Sequence, residues 1–264
     1  MNRRAFLKLG AALGAAAAVQ LPPGAALAST LPLPVPHHYF PNAETLLAHD
    51  LRRFDLLLVP AYAAAELIRR GALRPLNGPP GRAHDPDGAF TIPYAFGLAA
   101  LAYRGARPQS FADLWLRDSL WPDEPRLVLG AALLRRGWSP NDSHPGRLAQ
   151  VERDLLELRP RVVAHPAAGL RALSAAVALT SVLSGAGETG QNVAVPTGGT
   201  ILIEYDWAIP ASAANPDGAL VLIENARARR AAPRLQNNTH LIPLAALPSA
   251  ALAQRAAIWN QLRS

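Results

Sequence analysis

Apolar positions fall in short blocks that switch between two periods. Phe54-Asp55-Leu56-Leu57-Leu58-Val59-Pro60 is a nearly continuous apolar run stopped by proline, the pattern of a strand buried on both faces. The stretch Ala63 to Arg70 that follows repeats at helical spacing and closes at Gly71, as a helix with a glycine stop does. Strand followed by helix predicts a parallel α/β sheet. Upstream, Glu44 to Arg53 is helix-like. Residues 29–37, Ser-Thr-Leu-Pro-Leu-Pro-Val-Pro-His, alternate proline with apolar side chains. They read as a linker or edge segment, because proline offers no N–H to a ladder.

Asp85-Pro86-Asp87-Gly88 predicts a turn, and the apolar stretch from Phe90-Thr91-Ile92-Pro93-Tyr94 through Leu101-Ala102-Tyr103 predicts an extended segment able to run between two lobes. Tyr103 to Asp118 opens a new segment. Leu127 to Arg136, Gly146 to Leu158 and Gly169 to Ala176 read as helices, with Val162-Val163-Ala164 and Val177 to Val182 as strands between and after them. Asn192 to Pro196 and Thr200 to Pro210 read as strands, the second long enough to return the chain to the first lobe, and Asn215 to Arg230 as the next helix. The expected division is a discontinuous lobe I over residues 29–101 and 203–264, and a lobe II over 102–202.

At 264 residues and 50% apolar composition the chain can bury sizeable cores. Its net charge of +7 would ordinarily suggest nucleic acid or an anionic membrane as partner. Of its 26 basic residues only Lys8 is lysine, and the arginines are scattered rather than clustered, so neither partner is expected. With no cysteine the chain has no disulfide, thiolate metal site or lipidated cysteine.

The compartment is read from the start of the chain. Asn2-Arg3-Arg4-Ala5-Phe6-Leu7-Lys8 precedes an Ala/Gly-rich apolar run through Val19, and Ala26-Leu27-Ala28 has the small residues a signal peptidase needs. Residues 1–28 are expected to be a twin-arginine signal cut near Ala28, which makes the protein periplasmic. The run is Gly-interrupted and broken by Pro22-Pro23, short of the ~20 strongly apolar residues of a membrane span. Taking residues 1–28 away removes Arg3, Arg4 and Lys8 and no acid, which lowers the net charge from +7 to +4.

Catalytic and cofactor motifs do not emerge. Gly185-Ala186-Gly187-Glu188-Thr189-Gly190 matches a dinucleotide fingerprint by letter, but a strand-like Asn192 to Val195 follows where a helix must hold the pyrophosphate. The seven histidines include one adjacent pair, His37-His38, and no metal-binding spacing. No G-x-S-x-G turn occurs; Leu183-Ser184-Gly185 lacks its first glycine. No metal, cofactor or enzymatic activity is expected, and the twin-arginine leader, which often accompanies redox cofactors, is the one feature pointing toward an enzyme.

Several segments, in order, resemble the spermidine/putrescine-binding periplasmic proteins. They are Phe54 to Pro60, Leu67 to Leu76, Thr91 to Gly97, Ser110-Phe111-Ala112-Asp113-Leu114-Trp115, Pro125 to Leu133, Gly137 to Asn141, and Asp206-Trp207-Ala208-Ile209-Pro210. No single motif is diagnostic; their order across residues 39–245 is. The resemblance implies the type II periplasmic binding fold, with two α/β lobes, two hinge crossovers and ligand in the cleft, the first lobe being shortened. It implies a solute-binding protein of an ABC importer, monomeric, serving a permease and holding a polyamine-like solute.

A polyammonium ligand needs carboxylates for its ends and aromatic faces along its methylenes, each cation–π contact contributing roughly 0.5–2 kcal/mol. By position, Ala61 and Tyr62 fall at the strand end that faces ligand in the family, Glu124 at an acidic position of its box, and Tyr205 at its aspartate. Leu127 stands at a second acidic position, and Leu183 and Ile203 where the family has tryptophans. The family's first strand and helix, with an Asn-Trp pair, are absent before Tyr39. The residues expected to line or flank the cleft are Tyr62, Tyr94, Phe96, Glu124, Glu204, Tyr205, Asp206 and Trp207. Glu204 and Asp206 either supply carboxylate through a one-residue shift of register or lie solvated on the other face. The eroded box leaves a second reading open, a homologue that keeps the fold and serves a partner protein without binding polyamine.

Overall fold

The computed structural model describes residues 26–29, 37–163, 175–183, 192–228 and 240–263. In chain order its elements begin with β1 (Leu27–Ser29), β2 (His38–Tyr39), α1 (Ala43–Leu47), a 3₁₀ turn (Leu51–Arg53), β3 (Leu56–Pro60), α2 (Ala61–Arg69) and β4 (Thr91–Tyr103). Then come α3 (Asp113–Leu116), β5 (Ser119–Pro122), α4 (Pro125–Arg135), α5 (Pro145–Leu158), β6 (Arg161–Val163) and β7 (Val177–Leu183). The series ends with β8 (Asn192–Ala194), β9 (Thr200–Ala208), α6 (Pro216–Ala228), β10 (Leu241–Pro243) and α7 (Ser249–Arg263). The α/β alternation is the one expected. The helix predicted at Gly169 to Ala176, and the Gly185 to Gly190 motif, fall almost wholly outside the described residues.

Two units emerge. The described part of the first is 26–29, 37–96, 183 and 204–228; that of the second is 97–163, 175–182, 192–203 and 240–263. β4 passes from first to second between Phe96 and Gly97, and β9 returns between Ile203 and Glu204. The end of the chain departs from expectation: residues 240–263 belong to the second unit, not to lobe I. The reason is packing. β10 pairs in parallel with the first half of β9, Leu241 opposite Thr200. α7 buries Ala251, Ile258 and Trp259 against that unit, and Arg255 donates to the carbonyls of Pro140 and Asp142 at 3.0 and 2.7 Å.

In the first unit β1 lies between β2 and β3, parallel to both, with Leu27 opposite Leu56 and Ala28 opposite His38. β1 is built from residues that read as the end of a leader. β3 is buried along its whole length, as a double-covered strand must be, and pairs antiparallel with β9. Where one helix over Glu44 to Arg53 was expected, the chain breaks. Asn42 Oδ1 caps α1 by accepting from Thr45 N–H at 2.8 Å, and Asp50 Oδ1 caps a separate turn through Arg52 N–H at 3.1 Å. In the second unit α4 is buried from Pro125 to Leu133. At Gly130 a Cβ would sit 2.7 Å from Ile201 Cδ1, so glycine lets α4 approach β9 closely.

Candidate functional site

Successive side chains of a strand point to opposite faces. Along β9 this separates Tyr205 and Trp207 from Glu204 and Asp206. The β3 register fixes which residues they meet: Tyr205 is opposite Pro60 and Trp207 opposite Leu58, while Asp206 is opposite Val59 and Ala208 opposite Leu57. A predicted site that mixed both sets therefore divides between the two faces of the first unit's sheet.

One face carries rings. Tyr94 of β4 and Trp207 stack at a tilt with centroids 4.9 Å apart, a contact contributing about 0.5–1.5 kcal/mol beyond its area. Phe96, two residues further along β4, shares that face by strand period, and Tyr205 shares it along β9. Tyr205 and Trp207 are buried, Tyr94 and Phe96 half-buried. Tyr62 is the second residue of α2 and is also buried. It follows directly on β3, whose last residue, Pro60, faces Tyr205.

The other face carries charge, already partnered. Arg82 Nη2 lies 2.8 Å from Oδ1 of Asp206, and its Nη1 lies 3.3 Å from Oε1 of Glu204. His84 Nε2 lies 2.8 Å from the other Asp206 oxygen. Asp206 has no exposed surface, and burying a carboxylate is tolerable only with such partners. The loop that supplies Arg82 and His84 is tied by Asp85, which accepts from the N–H groups of Ala89, Phe90 and Thr91 at 2.8–2.9 Å and from the Thr91 hydroxyl at 2.9 Å. Burial alone would raise the Asp85 carboxyl, but the hydrogen bonds from Phe90, Thr91 and Ala89 outweigh it and hold it below the ordinary aspartate range.

Glu124 belongs to the second unit. It precedes α4 with extended backbone, and its carbonyl accepts from Leu127 and Val128 N–H. Leu127 is buried in that helix. Sequence reasoning missed Arg82, His84 and Asp85. One signal was available: Asp206, flanked by Tyr205 and Trp207 in a mostly apolar strand, is an acid that must find a cation. Which cation is fixed only by the fold. Among the described residues no group of three or more His, Asp or Glu is arranged to hold a metal ion, and no helix is long and apolar enough to cross a membrane.

No family model matches the chain. Curated relatives are spermidine/putrescine-binding periplasmic proteins. Spermidine/putrescine-binding periplasmic protein 1 of Haemophilus influenzae is 27% identical over 223 residues, 69% of this chain and 59% of that protein. The chain thus spans less than two thirds of this relative. Among solved structures, a Listeria monocytogenes protein assigned to a spermidine/putrescine ABC transporter superposes with a TM-score of 0.73 at 18% identity, over 91% of this chain and 99% of that one. The spermidine/putrescine ABC transporter substrate-binding protein of Streptococcus pneumoniae superposes at 0.63 with 19% identity, over 90% and 98%. The fold is that of the type II periplasmic binding proteins.

Proposed function

We propose that this chain is an extracytoplasmic solute-binding protein of an ABC importer that captures a polyamine or a related small solute and has no catalytic activity. The observation that carries the reading is the ring-bearing face of the first unit. Tyr94, Phe96, Tyr205 and Trp207 stand on the two strands that cross between units, within a few residues of the crossings at Phe96 and Glu204. Crossing strands are where a two-lobed binding protein closes on its ligand and so presents its lobes to a permease. The kinship in sequence and fold with polyamine-binding proteins supports the ligand class. Export to the periplasm by the twin-arginine leader, and action as a monomer, belong to the same reading.

Within it Tyr62, Tyr94, Phe96, Tyr205 and Trp207 supply ring faces and Glu124 a carboxylate, with Glu204 and Asp206 flanking through Arg82. Thermal melts test the ligand class. Spermidine or putrescine at about 100 times its Kd adds roughly 2.7 kcal/mol, a shift of about 5–10 °C for a chain of this size. Absence of a shift with either amine removes polyamine as ligand.

A second reading, a fold-retaining homologue that serves a partner protein, is favoured by one observation. The carboxylates of Glu204 and Asp206 are ion-paired to Arg82, and Tyr205 stands where the resemblance to the family implies an acid. Native mass spectrometry of freshly purified protein separates the two. A retained small solute supports capture; a solute-free chain that reproducibly brings down one protein partner supports the second reading.

A further inference from the structure

The segment that reads as the end of a leader is also a fully buried strand of the first unit. Leu27 is 3% exposed, and Ala28 and Ser29 are 0% exposed. β1 pairs on both sides, with β3 through Leu27, Ala28 and Ser29 and with β2 through Ala28 and Ser29. Its flanks are tied as well. Ala26 N–H donates to Asp55 Oδ2 at 3.0 Å, Ala26 O accepts from Asp55 N–H at 2.8 Å, and Ser29 O accepts from Phe40 N–H at 2.9 Å. Asp55 is itself buried, and its other oxygen accepts from Asn215 N–H at 2.7 Å.

We infer that Ala26-Leu27-Ala28 is not the processing site but the first strand of the folded protein, and that any cut removing the leader falls at or before the Ala25–Ala26 bond. A cut after Ala28 would delete Leu27 and Ala28, the β1 partners of Leu56 and Leu57 in β3. It would leave β2 joined to the sheet through Ser29 alone and the Asp55 carboxylate buried with one partner of two. A peptidase needs an accessible, extended segment, and the Ala28–Ser29 bond lies inside a sheet. A cut after Ala25 keeps every one of these contacts, and the new ammonium of Ala26 would meet the Asp55 carboxylate. Small residues suited to processing also recur upstream, in Ala15 to Ala18.

This inference rests on the reading of residues 1–25 as a leader only for where the cut is made; the strand stands without it. Two measurements keep them distinct. The first is the intact mass and N-terminal sequence of the chain recovered from the periplasm of cells expressing the full-length gene. A first residue at or before Ala26 is expected, and a folded mature chain that begins at Ser29 or later overturns the inference. Ala28→Val sharpens this test, because valine suits a strand but denies a peptidase its small residue. Processing at an unchanged position is expected, and abolished processing overturns the inference. The second is limited proteolysis of the purified full-length chain, which depends on no export. Trimming is expected to stop at or before Ala26, and a stable product that starts at Ser29 or beyond overturns the strand assignment.

Discussion

Arg82 holds Asp206 across 124 positions of sequence, its Nη2 lying 2.8 Å from an oxygen of a carboxylate with no exposed surface. The two residues are not equivalent in what their loss strands. Arg82→Met leaves the Asp206 carboxylate inside the sheet with His84 alone. Asp206→Asn leaves Arg82, about one-fifth exposed, with Glu204 still 3.3 Å away. Stranding a buried charge costs about 3–5 kcal/mol. Urea melts are expected to show the larger loss for Arg82→Met; equal losses would argue against Asp206 as the dependent partner.

The pH dependence of the same loop follows from Asp85. Its folded-state carboxyl is held below the ordinary value near 3.9, so the ionised form is the one the fold prefers. Its contribution is fully present above the unfolded value and drains away as pH falls through the lower, folded one. Asp85→Asn is therefore expected to cost stability at pH 6. The gap between wild type and variant should shrink in melts below about pH 4. A gap that stays constant to pH 3 would place the cost in shape rather than charge.

Gly88 closes that loop with φ +66°, and a Cβ there would lie 2.5 Å from the Gly78 carbonyl oxygen. Both the left-handed backbone and the contact oppose a side chain. Gly88→Ala is expected to lower stability by more than about 1 kcal/mol, measured by chemical denaturation. A neutral result would mean that the loop adjusts freely.

Tyr205 offers a test of the ligand by restoration. An acid at this position would give an ammonium a charge-assisted partner, a gain of about 1.5–3 kcal/mol. Tyr205→Asp is expected to tighten spermidine binding about tenfold or more by calorimetry. Unchanged affinity would show that this position does not meet the amine.

The placement of the chain's end can be read by hydrogen exchange. Ile258, 1% exposed in α7, belongs with the second unit. Ile258→Ala is expected to cost about 2–5 kcal/mol and to speed exchange in α4 and α5 while sparing α2. Faster exchange in α2 would contradict the assignment.

Local chemistry made much of this legible. The Phe54 to Pro60 strand, the helix after it, the Asp-Pro-Asp-Gly turn and the long crossing strands all announce themselves through period and punctuation, because each is decided by near neighbours. β1 did not, since Ala26-Leu27-Ala28-Ser29 has the composition of a leader's end and becomes a strand only when Leu56 to Leu58 and His38 arrive beside it. The C-terminal segment was misplaced for a similar reason: the attachment of α7 through Arg255 to the carbonyls of Pro140 and Asp142 leaves no local trace. On the first unit's sheet the rings of Tyr94 and Trp207 stack, and the carboxylates of Glu204 and Asp206 are ion-paired to Arg82. Their partner, Arg82, lies in a loop whose sequence gives no hint of where it docks.

The two-faced alternation of β9 bears on how such a protein can change over generations. Point substitutions at Tyr205 or Trp207 alter what the ring face offers and leave the Arg82 ion pairs in place. Gain or loss of a single codon within the strand would exchange the two sets and put charge where rings belong. Divergence of ligand preference is thus open to this strand by replacement and closed to it by insertion or deletion.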